Sequence, residues 1–259
     1  MAQSLPKNPK ILDISSPELS IIIPMRNEAE NVAPLIKEIY AELSKKTDFE
    51  IVCIDDGSDD TTEFELRQIK ITYPSLRVIQ HHNCCGQSTA ISTGIKAARG
   101  AWIVTLDGDG QNPPSEIPKL FHALKYNLKS NPTSVPLMIA GQREARKDSW
   151  FRRLCSIVAN SLREIVLQDG IRDTGCSLKL FQREVFLNLP YFDHMHRFLP
   201  ALIQRAGGQV IIVNVKHRPR LAGKTKYGLM NRLWTGLIDL IGVFWLIRRS
   251  KHPIINELD

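Results

Sequence analysis

Two aspartates separated by one glycine, Asp107 and Asp109, end an apolar run over residues 101–106, and Gln111 follows them. Side chains two positions apart on an extended segment point the same way, so both carboxylates can meet one cation, with Gln111 next along the edge. Oxygen ligands at a strand end suit Mg²⁺ or Mn²⁺ held together with a substrate diphosphate. Helix capping would need only one aspartate, and two same-facing carboxylates repel unless something neutralises them. The spacing therefore predicts a metal–diphosphate site and chemistry with a phosphate leaving group.

A second acidic pair, Asp55 and Asp56, ends another apolar run and precedes Gly57-Ser58. Turn and capping chemistry accounts for the later Asp60 but does not require this pair. A carboxylate at such a strand end can accept hydrogen bonds from a nucleotide base or ribose, which predicts nucleotide contacts here. The sequence has neither a phosphate-binding loop motif nor a dinucleotide fingerprint, so metal and cationic side chains must hold the phosphates.

Positive charge is concentrated in the second half of the chain. Residues 1–142 contain 14 lysines and arginines against 17 acidic residues, whereas residues 143–251 contain 20 against 8. Arg152 and Ser156 share one helix face and could grip a phosphate together with Arg143. The segment 217–226 interleaves glycine with basic residues, which predicts a mobile loop that closes on anions. A solvated surface is the alternative for both groups.

The segments that must position these residues alternate between strand-like and helix-like patterns. We predict strands at 19–23, 49–54, 76–80, 101–106, 135–140 and 209–215. We predict helices at 27–43 with a reciprocal Asn27–Glu30 cap, 61–71, 87–98, 113–128, 150–167, 197–206 and 229–247. Strands joined by single helices form a mainly parallel sheet, whose ligands bind beyond the carboxyl ends of the strands. Both acidic pairs and the polar residues 81–83 fall at those ends.

The helix at 229–247 bears on the membrane question. Its polar residues Asn231, Thr235 and Asp239 share one face, while tryptophans at 234 and 245 and other apolar residues cover the rest between basic flanks. This pattern is typical of a helix in a membrane interface, although a core or dimer helix would also be apolar. No run reaches the roughly 20 apolar residues of a spanning helix, and residues 1–17 lack a signal-peptide core. We expect a cytoplasmic protein with reduced cysteines, divided into a catalytic domain at 1–228 and an interfacial helix and tail at 229–259.

Several short motifs occur in a characteristic order: 24–28 (PMRNE), 55–58 (DDGS), 107–113 (DGDGQNP), 141–143 (GQR), 173–175 (DTG) and the basic 220–226 segment. Together they resemble the family-2 glycosyltransferases of the GT-A fold, and within them the dolichyl- and polyprenyl-phosphate sugar synthases. The likeness extends from about residue 20 to 228. It implies an α/β, Rossmann-like fold with helices flanking a mainly parallel sheet.

The resemblance also implies residue roles. The nucleotide base and ribose would contact Pro24, Glu28 and Asp55, with Asp56 nearby. The divalent metal (Mg²⁺ or Mn²⁺) and donor diphosphate would bind Asp107, Asp109 and Gln111. The acceptor phosphate would bind Arg143, Arg152 and Ser156, while Arg220 and Lys226 would close over the phosphates. Two departures concern the sugar pocket: Gly110 replaces a commonly apolar residue, and Thr174-Gly175-Cys176 replaces a turn similar to Ser-Gly-Phe.

The implied activity is inverting, metal-dependent sugar transfer from a UDP- or GDP-linked donor to polyprenyl phosphate. It would occur at the cytoplasmic face of the inner membrane, for cell-envelope glycan or lipopolysaccharide modification. A phosphate monoester is already anionic, so catalysis would rest on Asp107, Asp109 and Arg143 without a histidine base. The alternatives are a soluble or polysaccharide acceptor and a non-enzymatic binder of nucleotide sugar or nucleic acid. The sequence has no nucleic-acid-binding motif.

Overall fold

The computed structural model describes residues 16–130, 135–144, 163–164, 166–171, 173–220 and 229–251, with side chains described from residue 236 onward in the last range. Seven strands form one sheet in the order β3-β2-β1-β4-β6-β5-β7. All neighbouring strands are parallel except that β6 runs antiparallel to both β4 and β5. The strands are β1 (Leu19–Met25), β2 (Phe49–Asp56), β3 (Leu76–His81), β4 (Trp102–Thr105), β5 (Leu137–Arg143), β6 (Lys179–Gln182) and β7 (Gln209–Val215).

Helices connect most of these strands. They are α1 (Ala29–Leu43), α2 (Thr62–Thr72), α3 (Gln87–Ala97), α4 (Ile117–Ser130), α5 (Arg183–Leu187), α6 (Leu199–Arg205) and α7 (Leu229–Arg248). Short 3-10 turns over Pro114–Glu116 and Met195–Arg197 precede α4 and α6. The α/β class with a mainly parallel, helix-flanked sheet is confirmed, and most predicted elements agree with the structure to within about three residues.

The core lies on both faces of the sheet. Ile21 and Ile23 of β1 pack with α1, α2 and α4, whereas Ile22, between them, packs with α3, α6 and α7 on the other face. Successive residues of a strand point to opposite faces, so a strand covered on both sides is apolar throughout. This explains the unbroken apolar runs that end at the acidic pairs.

The structure differs from the sequence prediction in two places, and a further predicted helix is mostly untested. The reciprocal cap predicted for α1 is wrong: the helix begins at Ala29, and the Asn27 side chain instead bonds Asp59 across the neighbouring turn. Strand β6 and helix α5 were not predicted, because β6 has only four residues and begins with a charged one. The predicted helix at 150–167 lies mostly outside the described residues; positions 163–164 and 166–167 are helical.

From residue 236 onward, where its side chains are described, helix α7 packs against the body of the protein through one side. Leu240 and Val243 are buried in the same core cluster as α3 and α6. Leu237, Ile238, Ile241 and Trp245 are exposed, and their spacing places them within one sector about 100° wide. None of the described helices is both long and apolar enough to cross a membrane.

Candidate active site

The strand register brings the predicted site residues to one edge of the sheet. Met25 at the end of β1 pairs with Asp55 of β2, and the Leu106 amide just after β4 donates to the Ile22 carbonyl of β1 at 3.1 Å. Strand β5 runs parallel to β4, so Arg143 at its end lies at the same edge. Pro24 is half-buried at the end of β1. The carboxyl ends of the strands therefore gather acidic residues on one side and arginines on the other.

Asp107 and Asp109 lie in the loop that leaves β4. The Gln87 side chain at the start of α3 donates to Asp107 Oδ1 at 2.8 Å, and the Gln111 amide donates to Asp109 Oδ1 at 3.0 Å. Burial and the neighbouring Asp109 carboxylate raise the pKa of Asp107 to about 6. The pair is thus held together against its own repulsion. Two carboxylates with further oxygen groups nearby form a donor set that fits Mg²⁺ or Mn²⁺.

Two glycines shape this loop. A Cβ on Gly108 would lie 2.9 Å from Met25 Cγ, so the loop approaches β1 too closely for a larger residue. Gly110 has a φ of +70°, a left-handed conformation that side chains other than glycine rarely adopt. The glycine at position 110 therefore serves the backbone turn that carries Asp109 and Gln111.

The basic segment after β7 reaches this loop. Arg220 Nη2 lies 2.9 Å from Asp109 Oδ2, so a cation already faces the acidic pair. Arg218 donates from Nε to the Gly110 carbonyl at 2.6 Å, and its guanidinium forms two hydrogen bonds with Glu38 of α1, at 3.1 and 2.9 Å. Arg218 thereby ties the basic segment to the acidic loop, a role that only its place among basic residues hinted at in the sequence.

Arg143 is held rigidly by Asp173. Its Nε and Nη2 donate to the two carboxylate oxygens of Asp173 at 2.7 and 2.6 Å, and its backbone amide donates to the same carboxylate at 3.1 Å. Burial disfavours the guanidinium charge, but the ion pair outweighs it and raises the pKa of Arg143. Arg143 also interacts electrostatically with Asp107, so a fixed positive charge lies beside the acidic pair.

Lys179 on β6 is a further charged residue of the site that sequence reasoning missed. Its side chain is buried and donates to the carbonyls of Cys176 and Thr174. Burial lowers the pKa of Lys179, while its charge favours the ionised form of Asp107. A lysine within a short apolar strand was the only sequence signal for it.

The two aspartates at the end of β2 have different surroundings. Asp55 is fully buried; its Oδ1 accepts from the Ser58 amide at 3.1 Å, and its Oδ2 has no hydrogen-bond partner in the described protein. Asp56 uses both oxygens: the amides of Cys85 and Gly86 donate at 2.9 and 2.8 Å, and His81 Nδ1 lies at 2.7 Å. Asp55 is therefore the better placed of the two for a nucleotide, and Asp56 organises the loop after β3.

The turn after β1 is tied to the turn after β2. The Glu28 amide donates to Thr62 Oγ1 at 2.8 Å, and the Glu28 carboxylate accepts from Asn31 at 2.6 Å. The Asn27 amide donates to Ser58 Oγ at 2.9 Å. These bonds keep the two predicted nucleotide-contacting turns together.

Some predicted residues cannot be placed in this geometry. Arg152, Ser156 and Lys226 lie outside the described residues. Two histidines beside α6 have partners away from the acidic pair. His194 lies 3.1 Å from Asp239 of α7, and the partly buried His196 bonds Ser88 at 2.7 Å. Burial lowers the pKa of His196 well below its ordinary value, so it is neutral at physiological pH.

Comparison with known proteins shows the family of the chain. A family model described as Glycosyl transferase family 2 matches residues 20–189. A dodecaprenyl-phosphate galacturonate synthase of Rhizobium johnstonii is 31% identical over 245 residues, covering 93% of this chain and 70% of the relative. An undecaprenyl-phosphate 4-deoxy-4-formamido-L-arabinose transferase of Edwardsiella ictaluri is 33% identical over 226 residues, covering 86% of this chain and 66% of the relative. The chain thus spans about two thirds of the length of these relatives.

Solved structures share the fold at low sequence identity. The mannosyltransferase PcManGT from Pyrobaculum calidifontis, in complex with GDP-Man and Mn²⁺, aligns with a TM-score of 0.63 at 20% identity, over 93% of this chain and 67% of that one. Glucosyl-3-phosphoglycerate synthase from Mycobacterium tuberculosis, in complex with Mn²⁺, UDP and product, aligns with a TM-score of 0.61 at 18% identity, over 92% and 81%. At this identity the likeness shows the GT-A type of fold.

Proposed function

Because the chain belongs to glycosyl transferase family 2, we propose that it transfers a sugar from a nucleotide sugar to a polyprenyl phosphate, with inversion at the anomeric carbon. The observation that carries this proposal is the Asp107–Asp109 pair, of which Asp109 is buried and Asp107 partly buried, faced by Arg220 and Arg143 at the carboxyl edge of the sheet. Two relatives, a dodecaprenyl-phosphate galacturonate synthase and an undecaprenyl-phosphate 4-deoxy-4-formamido-L-arabinose transferase, support the acceptor class by their names. The donor is a UDP- or GDP-linked sugar.

The acidic pair would hold Mg²⁺ or Mn²⁺ through Asp107 and Asp109, with Gln111 beside them. A divalent ion there supplies charge to stabilise the departing nucleoside diphosphate. In the present structure Arg220 forms an ion pair with Asp109, so its guanidinium neutralises part of the negative charge of the acidic pair. Arg220 would contact the diphosphate together with Lys226, as the resemblance implies, if a divalent ion took its place on Asp109.

The nucleotide would lie along the ends of β1 and β2. Asp55 carries a buried carboxylate oxygen with no partner in the described protein, which a base N–H or ribose hydroxyl could satisfy. Glu28 and Pro24 line the adjoining turn. Asp56 supports this surface from behind through the loop after β3.

The acceptor phosphate would lie on the arginine side. The Asp173 carboxylate fixes the Arg143 guanidinium, so little side-chain freedom is lost when it binds an anion. The acceptor oxygen is already negatively charged at neutral pH, so these residues need only align it for in-line attack and no strong base is required. Arg152 and Ser156 are proposed partners of Arg143 from the sequence.

Helix α7 would contact the membrane that holds the lipid tail of the acceptor, at the cytoplasmic face of the inner membrane. The helix exposes the side chains of Leu237, Ile238, Ile241 and Trp245 together, and Arg248, Arg249 and Lys251 follow it. Apolar side chains flanked by cations suit the interface of an anionic membrane. We propose that the product, a polyprenyl-phosphate sugar, is used in the modification of envelope glycan or lipopolysaccharide.

Acceptor dependence is the direct test of the function. Purified protein with Mn²⁺ and radiolabelled nucleotide sugars should form an organic-extractable product only when polyprenyl phosphate is present. Screening a panel of UDP- and GDP-sugars by thermal shift first would select the donor. Transfer to a soluble glycan without lipid phosphate would favour the alternative acceptor class, and absence of both transfer and donor hydrolysis would contradict an enzyme.

The membrane assignment has a separate test. A double variant, Ile241→Glu with Trp245→Glu, should lose sedimentation with anionic liposomes while keeping its fold, because both side chains are exposed. The matched control is Ile71→Glu, an exposed apolar residue on α2 at 78% exposure. Equal liposome binding by the double variant and the wild type would refute the role of α7.

A further inference from the structure

A mixed nitrogen, oxygen and sulfur cluster lies apart from the acidic pair, where β2 and β3 end. One ligand atom each from Asp56, His81 and Cys85 lies within 4.8 Å of the other two. The Asp107–Asp109 loop offers only oxygen ligands, so the two places differ in chemistry. A site with imidazole and thiolate groups favours Zn²⁺ or a similar thiophilic ion over Mg²⁺.

His81 is oriented as metal-binding histidines are. Its Nδ1 lies 2.7 Å from Asp56 Oδ1, and its Nε2 lies 3.0 Å from Thr93 Oγ1 on α3. Without a metal ion, Nδ1 donates its hydrogen to the Asp56 carboxylate. A cation at Nδ1 would take the place of that hydrogen, and Nε2 would then donate to Thr93 Oγ1. A bond to the second ring nitrogen of this kind fixes the tautomer and raises the basicity of a ligating histidine.

The loop that carries the cysteine is held in place by the backbone. Asp56 accepts hydrogen bonds from the amides of Cys85 and Gly86, so the Cys85 main chain is fixed beside the carboxylate. Gly57 has a φ of +64°, and a Cβ on it would lie 2.6 Å from Cys84 N. The loop therefore packs directly on the Gly57 turn. The exposed Cys85 Sγ lies 3.3 Å from the Asn83 carbonyl oxygen and within 4.8 Å of the other two ligand atoms.

We propose that Asp56, His81 and Cys85 bind one thiophilic divalent cation of the Zn²⁺ class, with water as the fourth ligand. This site is distinct from the Mg²⁺ or Mn²⁺ site of the proposed reaction. The cation would cross-link the ends of β2 and β3 and stiffen the loop that adjoins Asp55. The proposal requires no catalytic role for the ion.

Cobalt spectroscopy tests the thiolate ligand directly. Reduced full-length protein, freed of metal with a chelator, is titrated with Co²⁺, and we expect a sulfur-to-cobalt charge-transfer band that saturates at one equivalent. The band should persist in the Asp107→Asn, Asp109→Asn double variant, so its fate is independent of the proposed glycosyl transfer. It should disappear in Cys85→Ser and persist in Cys84→Ser, the control at the adjacent exposed cysteine, whose thiol lies 3.4 Å from Asp56 Oδ2 but is not one of the three proposed ligands.

Zinc affinity measured by competition with a chromogenic chelator completes the test. We expect Cys85→Ser to weaken Zn²⁺ binding by roughly 100-fold, and Thr93→Val, which removes only the partner of His81, by about tenfold. Circular dichroism of each variant checks that the fold is retained. A wild-type protein without the cobalt band, or a band and a zinc affinity unchanged in Cys85→Ser, would overturn the site.

Discussion

Buried or partly buried carboxylates lie at both ends of the central sheet, and their pKa values are shifted in opposite directions. At the amino end, Glu50 on β2 accepts from Ser20 Oγ and the Arg99 amide at 2.6 Å each, and from Arg77 at 2.8 Å. Burial opposes its ionisation, but these bonds prevail and lower the pKa of Glu50. At the carboxyl end, burial and Asp109 raise the pKa of Asp107 to about 6.

The two ends of the sheet therefore differ in whether the fold itself neutralises the carboxylate charge or leaves this to a ligand. The hydrogen bonds and ion pair of Glu50 lie within the protein, and they stabilise the folded state. The repulsion between Asp107 and Asp109 lowers the stability of the folded protein. Such an arrangement persists only where the surrounding structure holds the two side chains in place. Carboxylates that the fold leaves in mutual repulsion therefore mark the reactive end of this sheet more clearly than burial alone does.

The largest expected effect is loss of turnover in Asp109→Asn. Removing this carboxylate takes away a metal ligand and the partner of Arg220, so kcat should fall on the order of 10²–10³-fold. Stability in chelator should be unchanged or higher, since the repulsion with Asp107 is relieved. Steady-state kinetics and urea unfolding measure the two quantities. A comparable loss of turnover in His194→Ala would contradict the assignment of the acidic pair.

Asp55→Asn should act on the donor and not on the chemistry. Loss of a buried charged acceptor for the nucleotide should raise the donor KM by roughly 10–100-fold with little change in kcat. The exposed Asp48→Asn, at the opposite end of β2, is the matched control. An unchanged KM in Asp55→Asn would remove this residue from the nucleotide site.

Glu50→Gln should show the reverse pattern, with lower stability and normal turnover. Weakened bonds to Ser20 and Arg77 should cost about 1–3 kcal/mol of unfolding free energy at pH 7. The folded-state pKa is depressed, so this contribution is present above the ordinary glutamate value of 4.5 and is lost as the pH falls through the folded value. Urea unfolding at several pH values measures it, and exposed Glu63→Gln should leave stability unchanged. A large fall in kcat for Glu50→Gln would erase the distinction between the two ends.

The smallest expected effect concerns protons and metal at Asp107. Its folded-state pKa of about 6 exceeds the ordinary 3.8, so without metal its favourable contribution is present at low pH and is lost as the pH rises through about 6. Mn²⁺ must displace this proton, so its affinity should rise about tenfold between pH 5 and pH 7. Isothermal titration at the two pH values measures it. Equal affinities would show that the pair is already ionised at pH 5.

Some of the site was predictable because it depends on local patterns. The strand before Asp107, the alternation with helices and the glycine-rich acidic loop follow from apolar runs and turn residues, which are properties of neighbouring positions. The convergence of Asp55 and Asp107 at one edge follows from parallel topology alone. Strand β6 and its residue Lys179 were not predicted, because a segment of four residues shows too little periodicity to be identified as a strand.

The acidic pairs, their place after buried strands and the α/β class could all be predicted from the sequence, because these features depend on residue type and short spacing. Other features became visible in the tertiary structure alone. Of the two aspartates at the end of β2, Asp55 has a carboxylate oxygen without a hydrogen-bond partner in the described protein. Arg218 bonds the acidic loop, and Asn27 bonds a neighbouring turn instead of capping its own helix. Such choices depend on partners that lie tens to more than a hundred positions away along the chain. Hydrogen-bond partners at that separation are set by packing, which local pattern does not encode.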